Sequence, residues 1–377
     1  MKILFYLRIV LMGGAERYLL TLLPELKKRN IEVGFFCTEQ ANNKQIIAHF
    51  SKELQKFNIP VYVCKASSPL SLIAARSLHN TIKKEGYNIL SAHLIHAEII
   101  SALSKMLFRS NCKLVVTKHG YLQQFMDING LDASKINKLS LSYQVEKFLQ
   151  LFVTSNFAVS QGLANFFILA GFCKSDKMKV IYHGLNEDFC KNADAPIRYS
   201  SNQLLISGRL RKLKGHHFLL EAMKIIHSQI PDVKLIILGD GEEMNNLVEM
   251  TAFYGLNDAV VFVGYADEVG NYILGSDVLV APSMAEAFGL VVLEAYSFGK
   301  PVIAFNVTAF NENIIDNETG CLATPYDTTS LADKIIYLLH NKNLATQFGI
   351  QGKGLLKDKF SLDNSITNTI NFFKNVY

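Results

Sequence analysis

The stretch from residue 278 to residue 304 reads VLVAPSMAEAFGLVVLEAYSFGKPVIA and contains one complete repeat of the predicted fold. The β-branched run Val278–Ala281 predicts a buried strand, and Val302–Ala304 predicts another. Between them, Leu290–Phe298 has the apolar pattern of a helix that begins after Gly289. A strand, a helix and a second strand in this order predict a parallel pair joined by a helical crossover.

The same alternation runs through the whole chain. In the first half, the predicted strands are Ile3–Tyr6, Val33–Cys37, Val61–Val63, Ile89–Ala92, Leu114–Thr117, Phe157–Val159 and Val180–Tyr182. In the second half, they also include Leu204–Ser207, Leu235–Leu238 and Val260–Phe262. Strands separated by helices predict an α/β protein with two doubly wound, Rossmann-like parallel sheets. We expect the ligand at the carboxyl ends of the strands, in a cleft shared by two facing domains.

The length of 377 residues suits two domains of ordinary size. The polar stretch 186–202 lacks a clear period and contains Pro196, so it is the predicted linker. We therefore expect a first domain over 1–185 and a second over 203–362. The apolar spacing within 363–377 predicts a final amphipathic helix.

The composition excludes several classes of protein. Hydrophobic residues make up 49% and charged residues 19%, which is typical of a globular chain. No apolar run is long enough to cross a bilayer, and Arg8 interrupts the apolar start, which predicts a first strand and not a signal peptide. The six scattered cysteines predict reduced thiols in a cytoplasmic protein. The pair His93 and His96 lacks a nearby third ligand, so packing is favoured over metal binding.

The charge is unevenly distributed. Residues 1–190 carry a net charge of +10, whereas the remainder carries −5. A basic first half favours anionic partners such as a membrane surface or a lipid-linked phosphate, and a merely solvated basic surface is the alternative. The helical segments 97–113 and 135–147 would be the parts on anionic lipid. No nucleic-acid-binding motif is present, so no nucleic-acid partner is expected.

Two glycine-containing motifs follow predicted strands. Gly13-Gly14-Ala15-Glu16-Arg17 opens a helix, where backbone N–H groups can meet an anion, although a tight turn has the same pattern. Ser207-Gly208-Arg209-Leu210, followed by Lys214-Gly215, places two cations on a strand-to-helix loop, an arrangement suited to a diphosphate. No G-x-G-x-x-G motif occurs, which disfavours a nicotinamide dehydrogenase.

The third motif is the quoted stretch itself. Glu286 lies on the predicted loop, and Glu294 lies about one turn inside the following helix. The first N–H groups of that helix, at Gly289 and Leu290, can receive phosphate oxygens. A carboxylate that accepts hydrogen bonds from vicinal hydroxyls is a common way to hold a ribose. The alternative is that either glutamate only caps or decorates the helix.

These motifs together resemble those of one family. Glu286 and Glu294 form the E-x7-E motif, and the surrounding P-S-x-x-E-x-F-G-L-x-x-L-E-A phrase is similar to that of glycosyltransferase family 4, a group of retaining enzymes with the GT-B fold. Gly299–Ala304 and Thr319-Gly320 resemble the family's G-x-P-V-I-A and T-G elements, and Val116–Gly120 resembles its strand-end histidine motif. The resemblance extends in order from Gly13 to about Pro325.

The resemblance implies a role for each matching residue. Gly13 and Gly14 would approach the donor's phosphate and sugar, and Arg209 and Lys214 would neutralise the diphosphate leaving group. Because these two cations replace a bridging metal and the chain contains no D-x-D motif, we expect no metal and no cofactor besides the donor substrate. The final helix, 363–377, would pack back on the first domain.

The remaining roles concern sugars. His119 would face the donor sugar from the first domain, Glu286 would hold sugar hydroxyls and Glu294 would hold the ribose. The backbone N–H groups that lie near Glu286 and would also bind the donor belong to Ala287, Phe288, Gly289 and Leu290. The residues expected to act in catalysis are thus His119, Glu286, Arg209 and Lys214.

The chain departs from the family at two places. Thr308-Ala309 stands where the family has a glycine pair before Glu312, and His183-Gly184 stands where the family has N-G. The first departure raises a question about a local backbone contact, and the second about the hinge or the sugar side of the cleft.

The resulting expectation is a retaining hexosyltransferase that uses a nucleoside-diphosphate sugar. The acceptor would be a glycan or lipid-linked glycan of cell-surface polysaccharide or glycoconjugate synthesis, and the enzyme would be cytoplasmic, either soluble or at the inner face of the membrane. A catalytically impaired sugar-nucleotide-binding partner protein is the alternative. An epimerase or a glycosyl phosphorylase is disfavoured by the combination of E-x7-E with the G-R-L…K-G element.

Overall fold

The computed structural model describes residues 1–377 except 11–12, 41–42, 67, 69 and 122–131 and the side chain of residue 192. Contacts divide these residues into two compact units. The first unit is Met1–Tyr182 with Ser365–Tyr377, and the second is His183–Asn364.

A sheet of seven parallel strands lies in the first unit, in the order β3-β2-β1-β4-β5-β6-β7. The strands are β1 Lys2–Leu7, β2 Glu32–Glu39, β3 Val61–Lys65, β4 Ile89–His93, β5 Lys113–Lys118, β6 Ser155–Ala158 and β7 Met178–Val180. The helices are α1 Gly14–Lys28, α2 Lys44–Gln55, α3 Leu72–Glu85, α4 Leu94–Phe108, α5 Leu141–Leu149 and α6 Gln161–Leu169, with 3-10 turns at Ala133–Lys135 and Ser175–Lys177.

The second unit contains six parallel strands in the order β10-β9-β8-β11-β12-β13. They are β8 Gln203–Ser207, β9 Lys234–Leu238, β10 Val260–Gly264, β11 Val278–Ala281, β12 Val302–Phe305 and β13 Gly320–Ala323. The helices are α7 His216–Gln229, α8 Met244–Phe253, α9 Val269–Gly275, α10 Leu290–Ser297, α11 Phe310–Asn313, α12 Thr328–His340 and α13 Lys342–Lys359, with 3-10 turns at Glu187–Asn192 and Lys212–Lys214; α14, Leu362–Val376, follows.

Burial explains why the central strands are continuous apolar runs. Every residue of β11 and β12 is buried, as expected for parallel strands covered by helices on both faces. In both sheets the first strand of the unit lies beside the strand at which the order reverses, β1 beside β4 and β8 beside β11. The prediction of two doubly wound, Rossmann-like sheets is confirmed, and each sheet has its switch point there. No described helix is long and apolar enough to span a membrane.

Two strands differ from the sequence expectation. Strand β7 is Met178–Val180, whereas the apolar run predicted Val180–Tyr182. Its register is set by pairing with β6, in which Asn156 opposes Met178, and no local pattern reports that pairing. Strand β13 was not predicted, because its four residues are too few to show a period.

The stretch 186–202, expected as a linker, belongs to the second unit. The Asn271 side-chain oxygen accepts the N–H of Asp194 at 3.0 Å, and Arg198 forms an ion pair of 2.8 Å with Asp277. The stretch 186–202 has the polar composition of a linker because its contacts with the second unit are made by polar groups. From Ser365 onward, α14 belongs to the first unit, where Phe373 packs edge-on against Phe5.

Candidate functional site

The loops that follow β8 and β11 meet at the switch point of the second unit. The two strands are hydrogen-bonded neighbours, with Leu205 opposite Leu279. After β11, the N–H of Met284 donates to the carbonyl oxygen of Leu213 at 2.8 Å. The arginine-lysine loop and the first glutamate of the E-x7-E motif are therefore parts of one local structure.

Gly215 allows this close approach. It adopts φ +72°, and an added Cβ atom would collide with the carbonyl group of Pro282. A residue with a side chain would be both strained and obstructed at this position. The glycine of the Lys214-Gly215 pair is thus explained by packing. The close approach of Gly215 to Pro282 holds Lys214 beside the β11–α10 loop.

Lys214 and Glu286 form an ion pair with Nζ 2.6 Å from Oε2. Their side chains are 33% and 16% exposed, so the pair is partly screened by solvent. The hydroxyl group of Ser283 also donates to Oε2 of Glu286, at 3.5 Å. Lys214, which was predicted to bind a diphosphate, thus has its positive charge partly compensated by Glu286, which was predicted to bind a sugar.

Arg209 is exposed on the loop after β8, preceded by Gly208 with φ +155°. Within the described part of the chain, its guanidinium group makes no ion pair or hydrogen bond. A planar, permanently charged donor in this state remains available to two oxygens of a phosphate. Among the described residues, Arg209 is thus a cation of this loop whose charge is not compensated by a carboxylate; Lys212, also exposed, is another.

Helix α10 begins after Gly289, which adopts φ +81° and ψ +61°. A Cβ atom there would lie 2.6 Å from Cε1 of Phe310. The N–H groups of the first turn have no partner within the helix and carry the positive end of its dipole. Glu294 is half-buried one turn further along. The predicted phosphate-binding amides and the predicted ribose-binding carboxylate thus lie on one short helix.

Helix α11 supports the turn that starts α10. The side-chain nitrogen of Asn313 donates to the carbonyl oxygen of Phe288 at 2.6 Å, and the Phe310 ring occupies the space beside Gly289. Asn313 is fully buried. This support could not be predicted from the sequence, because nothing local links residues 288 and 313.

The first departure from the family retains the geometry of a glycine. Ala309, at the position of the second glycine, is buried and adopts φ +75° and ψ −45°. Positive φ is unfavourable for a residue with a Cβ atom, so the surrounding contacts must hold it there. The backbone shape at this position is therefore kept at a cost in free energy.

The second departure contacts the E-x7-E motif. His183 is buried, and its ring packs edge-on against Phe288 at a centroid distance of 5.5 Å. Phe288 also contacts Phe360, 5.7 Å away. An aromatic group in place of the family's asparagine therefore packs behind the loop that carries Glu286.

In the first unit, the glycine motif has a local explanation. The N–H of Gly13 donates to the Glu16 carboxylate at 3.1 Å, a contact that satisfies one of the free amides at the start of α1. This amide is engaged and not presented to a ligand. Gly14 is exposed, and a Cβ atom there would meet none of the described residues within 4 Å, so their packing does not explain that glycine.

His119 lies just beyond β5, beside the end of β4. Its Nε2 atom is 2.7 Å from Nδ1 of His93, whose Nε2 is in turn 3.1 Å from the hydroxyl oxygen of Ser91. Burial lowers the pKa of His119 to about 3, so the ring is neutral at physiological pH. A neutral imidazole can donate or accept one hydrogen bond at each nitrogen, which suits the binding of a hydroxyl group.

The residue before His119 belongs to a buried charge cluster. Lys118 lies 2.8 Å from Glu98 and 2.6 Å from Glu146, and all three side chains are at most 5% exposed. Burial, and the Glu146 charge to a lesser extent, raise the pKa of Glu98 to about 7, although Lys118 opposes both. The cluster joins β5 to α4 and α5 directly beneath the strand end that carries His119.

The structure thus joins Lys214, Glu286 and the start of α10 in the second unit, and it places His119 and Gly14 in the first. Two residues that support the site, His93 and Asn313, were not predicted from the sequence. The order β1-β4-β5 could have indicated the first, because it puts the strand-end residues 93 and 119 side by side. Across the described residues, no three His, Cys, Asp or Glu side chains are arranged to hold a metal ion.

Comparisons with known proteins identify the family and the fold. The sequence pattern described as Glycosyltransferase Family 4 matches residues 12–189, and that of Glycosyl transferases group 1 matches residues 191–354. The chain is 26% identical over 358 residues to the O-antigen biosynthesis glycosyltransferase WclY of Escherichia coli, covering 92% of this chain and 95% of the relative.

A second Escherichia coli relative is the UDP-Gal:alpha-D-GlcNAc-diphosphoundecaprenol alpha-1,3-galactosyltransferase, 25% identical over 89% of this chain and 87% of its own. Among solved structures, Anabaena Alr3699/HepE in complex with UDP and glucose superposes with a TM-score of 0.82 over 100% of both chains, at 23% identity. The two family patterns, which adjoin each other along the chain, and the two doubly wound sheets lead to one conclusion. The chain is a glycosyltransferase of family 4 with the GT-B fold.

Proposed function

We propose that this glycosyltransferase transfers a hexose from a nucleoside-diphosphate sugar, with retention of anomeric configuration and without a metal ion or other cofactor. The acceptor is a glycan or a lipid-linked glycan used in cell-surface polysaccharide or glycoconjugate synthesis. The reaction takes place at the cytoplasmic face of the membrane. The observation that carries the proposal is the contact of Lys214 with Glu286 at the switch point of the second unit.

Cleavage of a glycosyl–phosphate bond leaves negative charge on the departing diphosphate and positive charge on the sugar. Preorganised charges aimed at the leaving group supply a large share of catalysis in such reactions. Arg209 binds two phosphate oxygens, the first N–H groups of α10 bind others, and Lys214 moves from Glu286 toward the diphosphate. These groups together take the place of a divalent cation.

The carboxylates then hold the two sugars of the donor. Glu286, once Lys214 turns to the phosphate, accepts hydrogen bonds from hydroxyls of the transferred sugar. Glu294 accepts hydrogen bonds from the ribose hydroxyls. His119 supplies a neutral hydrogen-bonding group to the donor sugar, and Gly14 allows close approach of the α1 start to the phosphate. A double displacement needs two carboxylates near the reacting carbon, and the motif supplies only Glu286 there.

The names of the relatives support the acceptor class. One acts in O-antigen biosynthesis, and the other is named for a diphosphoundecaprenol-linked sugar. A lipid-linked diphosphate is anionic, and the first half of the chain carries a net charge of +10. We therefore assign an acceptor with an anionic, lipid-attached end.

The surface around α5 supports contact with an anionic membrane. Leu139 and Leu141 are 88% and 81% exposed, which is unusual for leucines outside a contact surface. Lys135, Lys138 and Lys147 lie in the same segment and are exposed, although Lys135 pairs with Asp132 at 3.4 Å and Lys147 donates to the carbonyl oxygen of Gly171. Exposed leucines interleaved with lysines match the interface of an anionic lipid bilayer.

The segment 97–113 contributes less to this surface. Lys105 donates to the carbonyl oxygen of Cys112, and Lys113 donates to those of Val376 and Tyr377. Lysines that satisfy carbonyl groups within the protein have less freedom to reach lipid phosphates. The apolar residues of this segment are also less exposed, Met106 at 42% and Leu107 at 47%, so we centre the proposed membrane contact on α5 and its exposed leucines.

Calorimetric titration tests the donor site. UDP, GDP, ADP and CMP are titrated with Mg²⁺ and with EDTA into the wild type, Glu294→Ala and Glu249→Ala, the last an exposed glutamate of α8 that serves as control. UDP comes first because it occupies solved structures of similar fold. We expect one nucleotide to bind equally with and without metal, and about tenfold more weakly to Glu294→Ala only. Binding of none, or only with Mg²⁺, would contradict the donor site.

Donor hydrolysis without acceptor separates an enzyme from a binding protein. The sugar is released from the nucleotide sugar that binds best, and ¹H NMR identifies its first-formed anomer. Release with the donor's own configuration supports the retaining reaction, and the inverted anomer excludes it. Binding without release, in the presence and absence of lipid-linked acceptors, would favour the catalytically impaired partner protein.

Vesicle sedimentation tests the membrane contact. We expect the protein to bind phosphatidylglycerol vesicles, to bind phosphatidylcholine vesicles weakly, and to dissociate as salt is raised. The double variant Leu139→Ser, Leu141→Ser should bind about tenfold more weakly, because both apolar contacts are lost. Phe253→Ser is the control, since Phe253 is 85% exposed on the other unit. Equal loss in both variants would remove the support for the α5 surface.

A further inference from the structure

His93 lies between two hydrogen-bonding groups in the first unit. It is fully buried at the end of β4, with Nε2 3.1 Å from the hydroxyl oxygen of Ser91 and Nδ1 2.7 Å from Nε2 of His119. Its ring also stacks on Phe5, with centroids 5.8 Å apart. Both nitrogens and one face of the ring are therefore engaged, and the ring has little freedom to turn.

A short contact between two imidazole nitrogens limits the protons on both rings. One of the two atoms carries the hydrogen and the other accepts it, because two N–H groups cannot face each other at this distance. His119 is neutral, so it carries one proton in total. If Nδ1 of His93 donates, the proton of His119 is at Nδ1; if it accepts, the proton of His119 is at Nε2.

The geometry points to a positioning role for His93, and we propose that it holds the His119 ring and fixes one neutral tautomer of it. Ser91 takes part by bonding the other nitrogen of His93, as donor or as acceptor, so the three side chains form one hydrogen-bonded chain in which the protons of both rings are set together. His119 then meets a sugar hydroxyl with one defined donor or acceptor. This inference rests on the sugar-binding role proposed for His119.

The alternative function for His93 was a metal site with His96. The two ring nitrogens of His93 are hydrogen-bonded to Ser91 and His119. Neither nitrogen is directed toward a metal ion shared with His96. His93 therefore pairs with His119, 26 residues away at the end of the adjacent strand, and not with His96, its neighbour in sequence.

The tautomer can be observed without any substrate. Long-range ¹H–¹⁵N correlation spectra report which imidazole nitrogen carries the proton, because protonated and bare nitrogens differ strongly in ¹⁵N shift. We expect His119 of the wild type to show one tautomer. In His93→Phe, which keeps the ring packed on Phe5 but removes both nitrogens, we expect a mixture. In His93→Asn, whose amide reaches the position of Nδ1, we expect a single tautomer again.

Activity provides the second readout. The substrate is UDP-glucose, UDP-galactose or UDP-N-acetylglucosamine, whichever is hydrolysed fastest. For His93→Phe we expect the kcat of hydrolysis to fall about three- to tenfold, with KM nearly unchanged. In His93→Asn the kcat should recover. His79→Asn, on α3, is the matched control: Nδ1 of His79 lies 2.9 Å from the Ser110 hydroxyl, and among the described residues its ring does not contact His119. We expect it to change neither the His119 spectrum nor the rate.

A second variant keeps the inference testable if His93→Phe does not fold. Ser91→Ala removes only the hydroxyl that faces Nε2 of His93, and we expect it to mix the His119 tautomers. An unchanged His119 spectrum in the folded variants, or mixed tautomers in the wild type, would overturn the proposal. Full activity of His119→Ala would instead refute the role proposed for His119, while the tautomer result would stand on its own.

Discussion

Lys214 and Glu286 lie 72 residues apart in the chain, and their side chains form an ion pair of 2.6 Å at the end of two neighbouring strands. The pair joins the loop expected to bind a diphosphate to the loop expected to bind a sugar. A donor that draws Lys214 to its phosphate also frees the Glu286 carboxylate for sugar hydroxyls. In the proposed donor site, binding of the two halves of the donor would thus be coupled through one salt bridge.

Replacement of Lys214 should affect catalysis far more than stability. A partly exposed ion pair contributes about 0–1 kcal/mol to the free energy of unfolding, whereas a charge that stabilises the leaving group is worth about 3 kcal/mol. We expect Lys214→Ala to lower donor hydrolysis about 100-fold, with an unfolding free energy within about 1 kcal/mol of the wild type. Lys56→Ala, which breaks the exposed pair with Glu53, should leave the rate unchanged. Equal rates for both variants would exclude Lys214 from the leaving-group site.

Substitution of Gly289 should disturb the start of α10. A Cβ atom there would have φ +81° and would lie 2.6 Å from the Phe310 ring. We expect Gly289→Ala to lower the unfolding free energy by about 2 kcal/mol and to weaken nucleotide binding. Gly354→Ala, in an open position of α13, should raise stability by about 0.5–1 kcal/mol. Denaturant unfolding and calorimetry measure both, and a neutral Gly289→Ala would show that the turn tolerates a side chain.

Ala309 should respond in the opposite way. Its φ of +75° costs about 1–2 kcal/mol for a residue with a Cβ atom, which exceeds the entropy that glycine loses on folding. We therefore expect Ala309→Gly to leave stability unchanged or raise it by up to about 1 kcal/mol. Ala332→Gly, at a buried position inside α12, should lower it by at least about 1 kcal/mol. Similar losses in the two variants would show that Ala309 is not strained.

The buried cluster around Lys118 should make stability depend on pH. Burial raises the pKa of Glu98 from 4.5 to about 7, so the folded state holds this proton more tightly than the unfolded state. Its contribution is complete below pH 4.5 and is lost as pH rises through 7. Relative to Glu98→Gln, we expect the unfolding free energy of the wild type to fall by about 3 kcal/mol between pH 4.5 and 8. Parallel stability profiles for the two proteins would contradict a raised pKa.

His119 should not titrate in the working range. Burial lowers its pKa to about 3, so the ring stays neutral between pH 5 and 9. We expect His119→Asn to reduce donor hydrolysis about tenfold, since a hydrogen bond to the sugar is lost or misplaced. The ratio of wild-type to variant rates should be constant across this pH range. A ratio that changes near pH 6.5 would show that the imidazole is protonated during the reaction.

The candidate site was only partly predictable from the sequence. Arg209, Lys214 and Glu286 could be proposed from the sequence because they stand in short motifs next to strand ends, where ligands of doubly wound sheets bind. The support of the Phe288 turn by Asn313 was not found, because it depends on a contact between two loops. The partner of His119 was also missed, although His93 stands at the end of the adjacent strand.

The sequence by itself determined the two doubly wound sheets, their approximate strands and the family, because these follow from local hydrophobic periodicity and from short motifs in a fixed order. Only the tertiary structure decided that Glu286 is paired with Lys214, that Lys118 is buried with two glutamates and that Ala309 keeps a positive φ. Each of these depends on side chains from different strands or loops, and their distance and burial are set by the packing of the whole unit. Local pattern therefore selects the fold, whereas charge compensation and strain at the site arise only when the strands come together.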